Sequence, residues 1–348
     1  MKTDLKNFSY DELKSFIGNI GESAYRADQI FSWLTKGVTS IDEMSNLSKD
    51  LKRKLSEVAY ISSVQIEEKF VSKIDGTVKY LMKLNDDEYI ECVVMFYKHG
   101  ISMCISSQIG CNMGCKFCAS TIGGKTRDLT AAEMLGQIMT AQNDLGKRIS
   151  HIVIMGMGEP LDNYDAVVKF LRNVNNDKGL NIGFRHITVS TCGLVPNMLK
   201  LAQENMQITL SVSLHAPNNA IRSKIMPINT KYPIEEVISA IDQYIKVSTR
   251  RVSIEYAMIA GVNDSPECAR ELASHFIGKL IHVNLIPVNP ICEDGFQRSQ
   301  DDILRNFEEE LKKSKINVTI RRKMGSDINA SCGQLRKSRR DSEILGRR

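Results

Sequence analysis

Apolar positions in the first sixty residues recur every three to four places. The stretches YDELKSFI, YRADQIFSWL and LSKDLKRKLSEV carry this spacing and are split by Gly18, Gly21 and Gly37, which predicts short amphipathic helices punctuated by glycine. Residues 1–62 thus read as a small helical module, and it holds the only tryptophan, Trp33. From about Ser63 the period falls to two. VQIEEKF, TVKYLMKL and EYIECVVMF alternate, with turns at Asp75-Gly76 and Asp86-Asp87, and predict an antiparallel β extension over residues 63–98. Neither region carries a metal or phosphate motif, so both read as packing or docking modules.

From Met103 onward short apolar runs alternate with amphipathic stretches. Strands are predicted at residues 103–107, 151–155, 186–190, 208–214, 252–258 and 282–287. Helices lie between them: one opens at Thr130 with Glu133 three places on, a capping box, and another covers PIEEVISAIDQYI. Six β-α units in series predict an α/β fold over residues 99–318, a parallel sheet curled into a full or partial barrel. Chemistry in such folds gathers at the C-terminal ends of the strands. Those ends are polar or glycine-rich here: MCISSQIG runs into CNMGCKFC, HIVIM into GMGEPLDN, HITV into Ser190 and Thr191, SVSL into His215, and NLIP towards Asn289.

The chain has 348 residues, 42% of them hydrophobic and 25% charged, enough to bury a sizeable core and unlike a disordered or fibrous protein. No apolar run approaches the roughly 20 residues that span a bilayer, and MKTDLKNFSY lacks the apolar core of a signal peptide. A cytoplasmic protein, without membrane contact and monomeric, is the expectation. The nine cysteines (Cys92, Cys104, Cys111, Cys115, Cys118, Cys192, Cys268, Cys292 and Cys332) are an odd number in a large chain, which argues against a disulfide framework. Net charge is +5. It is uneven: residues 319–348 hold nine Lys or Arg against Asp327, Asp341 and Glu343, so the last thirty residues carry the whole excess. That basic segment contains Cys332.

Cys111, Cys115 and Cys118 form a CxxxCxxC array on one loop. A structural zinc would want a fourth Cys or His at a matching interval, and neither a second CxxC nor an HxxxH follows. Three thiolates on a 4Fe-4S cluster leave one iron open for another ligand; zinc with a remote fourth ligand and plain core cysteines are the other readings. GMGEPL lacks the third glycine of a dinucleotide loop, and Glu159-Pro160 puts a carboxylate and a missing N–H where a pyrophosphate needs donors. A glycine carbonyl and a Glu carboxylate suit a cationic amine instead; a plain Gly-rich turn is the alternative.

CNMGCKFC resembles the cluster motif of the radical S-adenosylmethionine superfamily, and GMGEP resembles its amine-binding motif. The stretches GISMCISSQIGCNMGCKFCAS, IVIMGMGEPLDN, SVSLHAPNNAIRSKIMPIN, HVNLIPVNP and GSDINASCGQL extend the likeness, from about residue 10 to 335, to the RlmN/Cfr family of RNA methyltransferases. Where the Cfr branch tends to read GEAL, SLHSP and NLIRYNP, this chain has GEPL, SLHAP and NLIPVNP, as the RlmN branch does. The fold implied is a partial parallel (β/α)6 radical-SAM barrel. The activity implied is methylation of carbon 2 of adenine 2503 in 23S rRNA, and of adenine 37 in some tRNAs; the Cfr-type alternative is carbon 8 of the same adenine. A rival from another class is a non-catalytic RNA-binding protein with a zinc or iron-sulfur structural centre.

The resemblance also implies roles. Cys111, Cys115 and Cys118 hold a 4Fe-4S cluster. Gly158 and Glu159 hold the amine of S-adenosylmethionine, and Ser190, Ser213, Leu214 (through its backbone), His215 and Asn289 line its nucleoside and carboxylate pocket. Two S-adenosylmethionine molecules are used per turnover, one to methylate Cys332 and one to generate the radical that activates that methyl group. Cys332 is the methyl carrier, Cys104 the thiol that resolves the protein–RNA adduct by forming a disulfide with Cys332, and Glu91 the acceptor of the carbon 2 proton. By itself Glu91 would read as an outward-facing strand carboxylate, His215 as a strand-end structural residue, and Cys92, Cys192, Cys268 and Cys292 as buried or incidental thiols. An external electron donor is required. Arg336, Lys337, Arg339 and Arg340 are expected to neutralise RNA phosphates near Cys332. A base must leave its stack to enter a barrel, so the expected substrate is naked or partly folded rRNA.

Overall fold

The structure, a computed structural model, describes residues 2–289 and 295–335. Short strand β1 (Thr3–Asp4) leads into helices α1 (Tyr10–Asn19), α2 (Tyr25–Thr35) and α3 (Lys49–Val58), and β2 (Ala59–Tyr60) returns to pair in parallel with β1. Ser9 and Glu12 close a capping box at the start of α1, each side chain bonding the other's backbone N–H. Gly18 lies inside the last turn of α1, so Gly21 and Gly37 alone punctuate this region. Leu13, Ile17, Ile30, Leu34, Leu51 and Leu55 fill a core separate from that of the rest of the chain, and each such burial is worth roughly 1.5–3 kcal/mol.

The antiparallel extension comprises β3 (Gln65–Val71), β4 (Val78–Lys83) and β5 (Tyr89–Tyr97), and β5 turns back into β6 (Gly100–Cys104). Both sequence-predicted turns form, with Gly76 and Asp87 at positive φ. A two-residue pair, β7 (Gln108–Ile109) with β8 (Arg127–Asp128), brackets the cysteine loop. There follow α4 (Ala131–Leu145), β9 (His151–Ile154), α5 (Tyr164–Asn175), β10 (Ile187–Thr191), α6 (Val195–Gln203), β11 (Thr209–Ser213), α7 (Asn219–Ile225), α8 (Ile234–Ser248), β12 (Val252–Met258), α9 (Pro266–Phe276), β13 (Ile281–Pro287), α10 (Asp301–Lys313) and β14 (Val318–Ile320). α4 opens on the Thr130–Glu133 capping box.

Among the described residues one ten-stranded sheet runs β14-β13-β12-β11-β10-β9-β6-β5-β4-β3, parallel from β14 to β6 and antiparallel beyond. The six strands expected from the apolar runs are β6 and β9 to β13. β14 is a seventh parallel strand. At three residues it is too short to display a period.

The sheet's two edges are bridged by the chain that leaves β14. Gly325 donates its N–H to Asp75 Oδ2 (2.9 Å), and Asp327 accepts from Ser72 Oγ (2.7 Å) and the Lys73 N–H (2.9 Å). Ser72 and Asp75 belong to the β3–β4 turn, so the sheet curls far enough for its last strand to feed a segment bonded to its opposite edge. No helix among the described residues is long and apolar enough to cross a membrane.

Candidate active site

The C-terminal ends of the parallel strands open onto a cavity of about 160 Å³. Its floor and rim draw on Cys111, Cys115 and Cys118 from the β7–β8 loop, Gly158 and Glu159 after β9, Ser190 on β10, Ser213 on β11, His215 after it, Asn289 after β13, and Cys332. The loop is pinned by Lys116 N–H to Ile225 O (3.0 Å) and by Thr121 Oγ1 to Cys118 O (2.8 Å). Burial raises all three thiols, Cys111 to about 12 and Cys115 well above the usual range. They are therefore neutral as they stand, and binding to a cation deprotonates such thiols.

Gly158 sits at φ +100, and a Cβ there would fall 2.5 Å from Gln108 Cβ. Only glycine lets this turn lie against β7. Gln108 Oε1 accepts the Glu159 N–H (2.8 Å), so the close approach also sets where Glu159 begins. The Glu159 carboxylate accepts the Leu161 N–H on Oε1 (3.0 Å) and the Cys192 N–H on Oε2 (2.8 Å). Burial pushes its pKa up, while those donors act in the opposite sense. Glu159 is thus a fixed, buried acceptor joining the loops after β9 and β10.

His215 lies in the left-handed region at φ 57. Its Nδ1 accepts the Ala257 N–H (2.9 Å), and burial, with the Arg222 charge behind it, holds the ring pKa down to about 3. A neutral imidazole accepting at Nδ1 carries its hydrogen on Nε2. Leu214 is buried in the core and does not border the cavity; its N–H goes to Glu255 O (3.1 Å) and its carbonyl receives Arg222 Nε (3.3 Å).

Cys332 enters from the bridging segment. Its carbonyl accepts from Asn289 Nδ2 (3.2 Å), the Gly333 carbonyl accepts the Ala119 N–H (2.7 Å), and Ser120 Oγ donates to Leu335 O (2.9 Å). The segment is therefore fastened to the cysteine loop. Cys104, at the end of β6, is a free buried thiol pushed up to about 12, first by burial and next by a charge on Cys332. Glu91 is buried on β5, not outward-facing, and pairs with Lys79 at 3.0 Å. Neither Cys104 nor Glu91 borders the cavity wall itself. Arg336, Lys337, Arg339, Arg340 and Cys292 lie outside the described residues.

Three further site residues were given no role by the sequence reading. Arg222, fully buried, donates to Leu214 O, Asn229 Oδ1, Tyr232 O and Cys192 O, knitting together the loops that end β10 and β11. Arg321 borders both this cavity and the smaller one next to Cys332, and its pKa is raised chiefly by a charge on Cys332. Glu255 borders the cavity from β12. Its Oε1 accepts from Ser211 Oγ (2.5 Å) and Asn284 Nδ2 (2.9 Å), whereas Oε2 is buried with no hydrogen-bond partner among the described residues and stands 3.8 Å from Arg321. A carboxylate inside an otherwise apolar strand was the one visible cue.

Among the described residues no three His, Cys, Asp or Glu side chains converge as ligands of a single ion. A four-iron cluster asks something different, since each thiolate takes its own iron and the sulfurs need only ring a shared space. The cavity ringed by Cys111, Cys115 and Cys118 meets that requirement, and the unsatisfied Oε2 of Glu255 is an acceptor ready for a ligand hydroxyl or amine.

Comparison with known proteins agrees over almost the whole length. A family model described as the Radical SAM superfamily matches residues 105–272, and one described as the ribosomal RNA large subunit methyltransferase N-terminal domain matches residues 3–61. A "Probable dual-specificity RNA methyltransferase RlmN" of Lachnoclostridium phytofermentans is 53% identical over 345 residues, covering 99% of this chain and 97% of that protein. One of the same description from Clostridium novyi is 52% identical over 336 residues, with 96% and 98% covered. The crystal structure of a radical SAM methyltransferase from Sphaerobacter thermophilus matches with a TM-score of 0.91 at 41% identity, over 96% of this chain and 99% of that one.

Proposed function

The chain belongs to the RlmN family of radical SAM RNA methyltransferases, and from that premise we propose that it methylates carbon 2 of adenine 2503 in 23S rRNA, with adenine 37 of some tRNAs as a second substrate. The observation that carries the reading is one cavity bordered at once by the three loop cysteines, the Gly158-Glu159 turn and Cys332. Carbon 2 lies between two ring nitrogens and is electron-poor, so it does not attack a methyl cation equivalent; a carbon radical adds to it. When bound, the 4Fe-4S cluster and two S-adenosylmethionine molecules per turnover supply a methyl group, a 5′-deoxyadenosyl radical and a sink for one electron.

The chain's residues do the rest. Cys111, Cys115 and Cys118 would hold the cluster. Gly158 and Glu159 would receive the cofactor's amine, and Ser190, Ser213, His215 and Asn289 would line the remainder of its pocket; Leu214, expected there through its backbone, lies in the core with its N–H and carbonyl bonded to Glu255 and Arg222. Cys332 carries the methyl group to carbon 2 and is transiently joined to the base through the methylene. Glu91 accepts the proton of carbon 2. The Cys104 thiolate then attacks the Cys332 sulfur, forming a disulfide and freeing the RNA. Fastening of the Cys332 segment to the cysteine loop supports this reading, because a methyl carrier has to act next to a cofactor held by that loop.

The test is mass spectrometry of nucleosides from 23S rRNA treated anaerobically with reconstituted protein, S-adenosylmethionine and a strong reductant. 2-Methyladenosine is the expected product. 8-Methyladenosine, or no methylated adenosine despite an intact cluster, overturns the reading.

A further inference from the structure

Facing strands set which residues of the antiparallel extension look inward. Across β4 and β5, Lys79 stands opposite Val93 and Leu81 opposite Glu91; across β5 and β6, Val93 stands opposite Cys104. Opposed residues, and alternate ones along a strand, share a face. Lys79, Glu91, Val93, Met95 and Cys104 therefore share one, and from it Met95 borders the smaller cavity beside Cys332. Tyr80, Met82, Cys92 and Val94 form the other face, and the apolar core draws on both.

On the inward face Lys79 Nζ meets Glu91 Oε1 at 3.0 Å, with the two side chains 7% and 4% exposed. Lysine is among the residues least often buried, and a buried ion pair is commonly no more stabilising than apolar side chains of the same size. Packing alone thus gives no reason for this pair. Its position does, because it lies on the face that carries Cys104 and looks towards Cys332.

We propose that Lys79 is a positioning residue for proton removal from carbon 2. It keeps the buried Glu91 carboxylate ionised and aimed, so that the carboxylate can accept. The inference rests on the reading of Glu91 given above. In this step the carbon 2–hydrogen bond of the adduct breaks, the proton passes to a Glu91 carboxylate oxygen, and the bonding electron pair stays in the ring. Burial by itself favours the neutral carboxyl, which cannot take a proton; an ammonium at hydrogen-bond distance reverses that preference. Once Glu91 is protonated, the same ammonium favours release of the proton and restores the base.

The other titratable groups around Glu91, among the described residues, are Glu68 on β3, Lys83 on β4, Tyr89 on its own strand, Cys92 behind it and Cys104 on β6, with Arg321 and Cys332 facing them from the C-terminal segment. Lys83 is paired with Asp87 at 2.7 Å. Lys79 is thus a cation in direct contact with Glu91.

The experiment compares full-length Lys79→Met, Lys79→Gln, Lys79→Arg and Glu91→Gln proteins with the parent enzyme. Intact-protein mass spectrometry first checks that Cys332 is still S-methylated at the parent rate. Adduct decay is then followed on denaturing gels from pH 6 to 9. In Lys79→Met and Lys79→Gln the adduct should accumulate and its decay at pH 7 should fall about tenfold or more, the loss when about nine in ten Glu91 carboxyls keep their proton at that pH, with recovery as pH rises. Lys79→Arg should stay within about threefold of the parent, since it keeps the charge. Isotope-edited infrared spectra of the protein without cluster give a readout independent of turnover: Glu91 should show a carboxylate band at neutral pH in the parent and a neutral carboxyl band in Lys79→Met. If Glu91→Gln builds up no adduct, the role of Glu91 falls and this inference with it. If Glu91→Gln builds up adduct while both charge-removing variants decay with the parent's pH profile, or if the carboxylate band persists in them, Lys79 alone is refuted.

Discussion

Replacing Gly158 with Ala tests whether the turn after β9 is built to place the cofactor's amine. The new Cβ would lie 2.5 Å from Gln108 Cβ, 2.7 Å from its Cγ and 2.8 Å from its N–H nitrogen. Ordinary carbon–carbon contact is about 3.5–4.0 Å, so the turn must retreat from β7 by about 1 Å. Rotating Gln108 relieves only part of this, because its own backbone nitrogen is one of the clashing atoms and its side chain is held by Asp128, Asp162 and the Glu159 N–H. A side chain at this φ adds about 1–3 kcal/mol of strain, against which alanine recovers about 0.4–1 kcal/mol through a less flexible unfolded chain. The net loss of stability is modest, but the displacement falls on the residue that begins Glu159. Misplacement by about 1 Å commonly costs about 100-fold in rate. The assay is single-turnover formation of S-methyl-Cys332 by mass spectrometry, with thermal unfolding of the cluster-free protein as control. A drop of about 100-fold with Tm lowered by only a few degrees is expected. A rate within threefold of the parent would refute the placement of Glu159 by this contact.

Other outcomes follow from the same geometry. Cys332→Ala should abolish RNA methylation in the nucleoside assay, and Cys104→Ala should leave a protein–RNA adduct visible on a denaturing gel; persistent product in the first, or a clean gel in the second, contradicts the assigned roles. Because burial holds the Cys104 thiol up at about 12, its thiolate fraction rises about tenfold per pH unit from 7 to 9, so the rate of adduct resolution should climb with pH in that window and a flat profile would show that another step limits it. Arg222→Met leaves the buried carbonyls of Leu214 and Cys192, and the part-buried carbonyl of Tyr232, without their donor, at about 1–3 kcal/mol for each buried one before relaxation. Chemical denaturation should show a loss of several kcal/mol, and a shift below about 1 kcal/mol would mean that the loops re-pair on their own. Neutralising Arg336, Lys337, Arg339 and Arg340 should weaken RNA binding and lessen its salt dependence by up to about four phosphate contacts; an unchanged slope places the RNA elsewhere.

What sequence periodicity could reveal depended on length. The six apolar runs became β6 and β9 to β13 because each is flanked by a long enough amphipathic helix to identify the β-α unit. β14 escaped, since three residues at a sheet edge next to the long helix α10 look like the end of a loop. Motif residues such as Cys111, Gly158 and His215 were legible because their spacing is local and the chemistry is written within a few positions. Lys79, Arg222 and Arg321 were not, because each acts on a partner from another segment: Lys79 on Glu91, Arg222 on Leu214 and Cys192, Arg321 towards Glu255 and Cys332.

Glu255 marks the border between these two kinds of information. A charged residue in VSIEYAM breaks the apolar run of β12, all seven positions of which are buried, so its presence demanded an explanation that no local motif supplied. The register provides half of one: Ser211 on β11 and Asn284 on β13 flank Glu255 and saturate Oε1. The other oxygen accepts no hydrogen bond among the described residues and stands 3.8 Å from Arg321 in a loose ion pair. A buried carboxylate oxygen with no hydrogen bond is costly even beside a cation, a cost tolerated where a ligand completes the bond. Polar residues interrupting an otherwise apolar inner strand therefore locate the floor of the site as surely as the cysteine array locates its rim, and here both point at the same cavity.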